Sequence, residues 1–120
     1  EKTKMSNILK NAKEHFKNKL NGELHKVAVE EWKQDVYYKG TYSFATESKI
    51  MQLQQEGKVA EALVESILQK ALTPEGKRMF TEFDKQTLMH DVDPAVLIKI
   101  ASAINKATTE YRTVDEVAKN

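Results

Sequence analysis

The residues most able to do chemistry stand close together in the stretch PEGKRMFTEFD, residues 74–84. Gly76-Lys77 is like the end of a phosphate-cradling loop, and Glu75, Glu82 and Asp84 are of the types that ligate cations or exchange protons. A phosphate loop needs a glycine five residues before Gly76 and a hydroxyl residue after the lysine, so that backbone amides can curl around the anion. Those positions hold Ala71 and Arg78, and the text before them is helical rather than strand-like. The motif is excluded. Glu82, Asp84, Asp91 and Asp93, with His90, match no calcium-loop spacing, and Asp84 and Asp93 are explained as helix caps. His15, His25 and His90 fall in three different elements, without the i, i+4 pairing of a helical zinc site. No Ser/His/Asp set stands out either. The expectation is a protein with no catalytic residue, no metal and no cofactor.

A second group is the aromatic cluster Trp32, Tyr37, Tyr38, Tyr42 and Phe44, which lies within thirteen positions. Aromatic side chains are enriched at protein interfaces, and a small sheet with open edges invites pairing. Equally, the five can cover a helical core. Both readings stand at this point, and these residues are the candidates for protein interaction.

The elements that must position these side chains follow from periodicity. EKTKMSNILKNAKEHFKNKLNG reads as a helix with Ser6 as N-cap, Ile8, Leu9, Ala12, Phe16 and Leu20 as its apolar stripe, and Gly22 as its stop. Its other face is lysine-rich, through Lys2, Lys4, Lys10, Lys13, Lys17 and Lys19. Val27 and Val29 then alternate with polar neighbours, and Val36-Tyr37-Tyr38 is β-branched and aromatic. These predict an antiparallel hairpin turning at Trp32–Asp35, with Gly40 closing its second strand. Three further helices are expected. The first carries Phe44, Ile50 and Leu53 and ends at Gly57. The second shows one wide apolar face of Ala60, Leu63, Val64, Ile67, Leu68, Ala71 and Leu72. The last is capped by Asp93, with Pro94 at its first position and Val96, Leu97, Ile100, Ala101 and Ile104 facing the core. A short helix capped by Asp84 lies between them, Met79, Phe80 and Phe83 tuck the connection inward, and the tail adds a turn from Thr113. The fold class is α+β: a predominantly helical single domain with one antiparallel β-hairpin packed on the helices. Residues 1–22 form a basic amphipathic helix, 23–111 the core and 112–120 a tail.

Composition narrows function. The chain has 120 residues, 40% apolar and 31% charged, which suits one folded domain with a modest core. Nineteen basic and 18 acidic residues leave a net charge of +1, so no overall field draws it to nucleic acid. The absence of cysteine excludes disulfides and fits a reducing compartment. The longest apolar stretch, AVLIKIASAI, is far short of the ~20 residues that span a bilayer. Met5 is a candidate for the natural start, with residues 1–4 before it.

Taken in order, VAVEEW, VYY, EALVESILQKAL, PEGKRMFTEFDKQTL, an apolar helix and the ending TVDEVAKN resemble the tail assembly chaperones of long-tailed bacteriophages. The resemblance spans roughly residues 24–120. One departure is the turn: relatives often place glycine just after the tryptophan, where this chain has Lys33. The resemblance implies a non-enzymatic protein of the bacterial host cytoplasm, absent from the finished virion. It would bind the tape measure protein, keep its helices from aggregating and help recruit tail tube subunits. It also implies a longer, frameshifted form, with Ala118, Lys119 and Asn120 as the region whose codons would carry the slippery run. Self-association through the hairpin edge or helix faces is expected as well. The alternative is a small nucleic-acid-binding module that uses the lysine-rich first helix, against which the near-zero net charge argues. The chaperone reading asks for apolar surface left open to a partner.

Overall fold

The order of elements in the computed structural model is α1 (Lys2–Leu20), β1 (His25–Val29), β2 (Gln34–Tyr38), α2 (Phe44–Gln55), α3 (Val59–Lys70), α4 (Lys85–His90) and α5 (Pro94–Lys119). The structure describes residues 2–22 and 24–119, with side chains over 7–22 and 24–107. Ala118, Lys119 and Asn120 therefore lie outside the described side chains. The fold is α+β and mostly helical, with one two-stranded antiparallel sheet. No helix among the described residues is long and apolar enough to cross a membrane.

Helix α1 begins at Lys2, so Ser6 sits inside it rather than capping it. It ends before Gly22, whose N–H donates to Lys19 O. In the hairpin, Val27 pairs with Val36 and Val29 with Gln34. The turn is therefore Glu30–Lys33, and the second strand starts two residues earlier than the β-branched run suggested. A single 3-10 turn over Glu30–Trp32 reverses the chain, and Lys33 completes it in the left-handed region at φ 55°. Glycine takes that conformation without the Cβ clash that lysine accepts here.

Helix α3 is the centre of the molecule: α2 packs along one side of it, and α4 and α5 along another. Ile67 and Leu68 are fully buried, as are Ile100 and Ile104 of α5 and Val36 of β2. Each such side chain contributes roughly 1.5–3 kcal/mol over its exposed state. The wide apolar face read from the sequence is only half of the burial. Glu65, Ser66 and Lys70 are buried too, because α2 covers the polar side of α3. Ala60, by contrast, is exposed.

Helix α3 also stops at Lys70, so Ala71 and Leu72 are extended rather than helical. Leu72 exchanges two backbone hydrogen bonds with Tyr37 (2.9 and 2.7 Å) and bridges Arg78 on its other side. The stretch from Thr73 to Lys77 is thus the tip of a small hairpin laid against β2. Thr73 N–H donates to Lys77 O, and Gly76 takes φ 83°, where only glycine is free of strain. Met79 and Phe80 pack against the core as expected, but Phe83 is 96% exposed. Asp84 stands at the N-cap position of α4 but makes no side-chain cap bond to it. Its Oδ2 accepts from Thr81 N–H (2.8 Å), closing a capping box around the 3-10 turn Glu82–Asp84. At α5, Asp93 Oδ1 accepts from Ala95 N–H, and all five expected core residues are buried. The helix then continues unbroken through the region read as a separate terminal turn.

Candidate partner-binding surface

Polar side chains of the types that form reactive centres instead join elements to one another. Arg78, where a phosphate loop needs a hydroxyl, donates from Nε (3.0 Å) and Nη2 (2.7 Å) to Leu68 O. It satisfies a carbonyl that the end of α3 would leave unpaired. Gly76 N–H donates to Thr73 O and Lys77 N–H to Thr73 Oγ1, so neither amide is turned toward a ligand. Lys70, buried at the end of α3, pairs with Glu47 of α2, and its Nζ lies 4.9 Å from the Tyr42 ring centre. Glu65 pairs with Lys49 at 3.0 Å and accepts from Gln69 Nε2 at 2.9 Å. Burial pushes the Glu65 carboxyl up, but the Gln69 and Lys49 bonds outweigh it and hold the group below its ordinary value. The same pairing raises Lys49 above the ordinary lysine value. His15, His25 and His90 sit on α1, β1 and α4, and no group of three or more metal-ligating side chains converges among the described residues.

The five aromatic candidates do not share one surface. Tyr38 is 7% exposed and stacks on His25 with ring centres 5.6 Å apart. Tyr42 accepts at its hydroxyl from Lys39 N–H (2.7 Å) and donates to Lys70 O (3.1 Å). Burial is the main force that pushes its phenol up to about 12, against the Lys39 hydrogen bond. Trp32 is half-buried and meets Phe80 edge-on at 6.0 Å. Tyr37 is half-buried and holds Leu72 through its backbone. Only Phe44 faces solvent, 84% exposed at the start of α2. Exposed Met51 stands seven residues further on, two helical turns along the same side.

An apolar opening lies elsewhere, between α3, α4 and α5. Val59 and Leu63 of α3, Leu88 and Met89 of α4, Val92 of the connection, and Leu97 and Ile98 of α5 line a groove of about 440 Å³. Its floor is core: Val64, Leu88 and Leu97 are buried. Its lips are not, since Val59 is 66% and Ile98 53% exposed. The groove exists because α4 has only six residues and cannot roof the seam between two longer helices. Among the described residues no charged side chain lines it, and Asp91 and Asp93 flank Val92 along the chain. Such a lining can hold apolar side chains by area and offers no group to move a proton. Comparison with family models, curated proteins and solved structures returned no match.

Sequence reasoning missed this groove, although it left a signal. Ile98 lies off the core stripe of Val96, Leu97, Ile100, Ala101 and Ile104, and Val59 lies off that of Val64, Ile67 and Leu68. Large apolar residues outside a helix's buried stripe are the residues to ask about.

Proposed function

We propose that this chain is a tail assembly chaperone of a long-tailed bacteriophage. In this reading it binds apolar helical segments of the tape measure protein in the host cytoplasm, keeps them soluble and helps bring tail tube subunits to them. The observation that carries the reading is the open groove between α3, α4 and α5, whose lips Val59 and Ile98 stand in solvent. A client helix laid there would bury the lips together with its own apolar ridge, the mode by which amphipathic helices dock in grooves. Few polar groups line it, so the contact discriminates little between apolar helices and is readily reversed. The order of the sequence motifs supplies the client's identity.

The test is co-expression with the long, coiled-coil-like tape measure protein encoded beside it. The expected result is a larger soluble fraction of that protein, lost with Ile98→Asp and retained with the remote Phe83→Ala. Equal solubility with and without this chain would overturn the reading. A second reading has one observation behind it: Lys10, Lys13 and Lys17 of α1 are all exposed, as a nucleic-acid contact requires. Salt-dependent binding to generic duplex DNA, abolished by Lys10→Glu/Lys13→Glu/Lys17→Glu, is the result that would favour it.

A further inference from the structure

Two apolar surfaces of this molecule are open, and they suit each other. One is the groove. The other is the stripe on α1, where Ile8 is 59% and Leu9 62% exposed. Ile8, Leu9, Ala12 and Phe16 recur at helical spacing over about 12 Å of axis, a ridge of the kind that fills a groove between helices. Their charges are complementary as well. Lys13 borders the α1 stripe and Lys10 and Lys17 stand beyond it, whereas Asp91 and Asp93 flank Val92 at the groove, exposed and without an ion pair among the described residues. No described side chain of α1 lines the groove of its own chain. The four residues between Leu20 and His25 keep the end of α1 within about 18 Å of the start of the hairpin.

We infer that the groove between α3, α4 and α5 receives helix α1 of a second copy of this chain. The two contacting patches differ, so the contact is head-to-tail, and copies add until a ring closes or a filament grows. The inference rests on the groove and not on the tail assembly reading. If that reading holds, α1 of a neighbour occupies the groove until a client helix displaces it.

The experiment is light scattering after size exclusion on the full chain, with a complementation arm. The wild-type mass is expected to rise with concentration. Leu9→Asp, which spoils α1, and Ile98→Asp, which spoils the groove, are each expected to stay monomeric with the Trp32 fluorescence of the folded core unchanged. Mixed in equal amounts they should form a two-chain complex and nothing larger, because each retains the surface that the other has lost. Asp91→Lys should weaken wild-type assembly several-fold and reduce its salt dependence. Should Ile98→Asp fail to fold, Val59→Asp at the other lip replaces it. A mixture that stays monomeric overturns the inference. So does a wild type that is strictly monomeric at high concentration, or a Leu9→Asp variant that still self-associates. Leu9→Asp leaves the groove intact and should still keep the client soluble, so the two readings fail separately.

Discussion

Arg78 sits where a phosphate-loop reading fails, and its guanidinium closes the end of the most buried helix. Two donors converge on Leu68 O, and both must come from one planar group. Arg78→Ala is expected to cost about 1–2 kcal/mol in denaturant unfolding, because a carbonyl in the core loses a charged donor. Arg78→Lys should restore less than half of that, since an ammonium cannot fork. Tyr42 is the second residue whose role is structural. Its folded-state value of about 12 lies above the ordinary 10.0, so the contribution of the neutral phenol is whole below pH 10 and is lost as pH rises toward 12. Absorbance titration should therefore show one tyrosine ionising near pH 12 in the folded protein. Tyr42→Phe should abolish that step and flatten the alkaline fall in stability over the same window.

Among the elements, α5 was the most legible: Asp93, Pro94 and the stripe from Val96 to Ile104 all behave as their spacing dictates. Helix α3 was legible on one side only. Periodicity reports an apolar face, but a helix buried all round by pairing its charges gives no such signal. Glu65 and Lys70 carry no apolar signal, and they are buried because α2 supplies Lys49 and Glu47 as their partners. The extension of the sheet by Leu72 was hidden for the same reason, since apolar Ala71-Leu72 continues the helical repeat while its backbone pairs with Tyr37. The groove was hidden because it depends on how short α4 is against its neighbours, a property of the assembled elements. The α2–α3 seam has a pH consequence. Glu65 is held below its ordinary value of 4.5, so its ion pair stabilises the fold above that pH and is lost as pH falls through the depressed value. Glu65→Gln should lower stability near neutrality by on the order of 1 kcal/mol. It should also make the acid limb of the stability curve less steep, as followed by urea unfolding at a series of pH values.

At the scale of the whole molecule, the hairpin and α3 to α5 share one core and α2 packs on α3, while among the described residues α1 packs extensively on none of them. A lone helix of nineteen residues is marginal in water, since propagation barely repays its nucleation. Helix α1 should therefore depend on a partner surface that the rest of the molecule does not need. Two probes separate these parts. Trp32, the sole tryptophan, lies against Phe80 at the edge of the core, so its fluorescence follows the core alone. Circular dichroism at 222 nm counts every helix, α1 included. At low protein concentration the dichroism should begin to fall at lower urea than the fluorescence, as α1 melts ahead of the core. At high concentration the two curves should draw together, because a neighbour's groove then holds α1 in place. In Leu9→Asp the gap should persist at every concentration, since the stripe can no longer dock. Coincident curves for the wild type at low concentration would mean that α1 is held within its own chain.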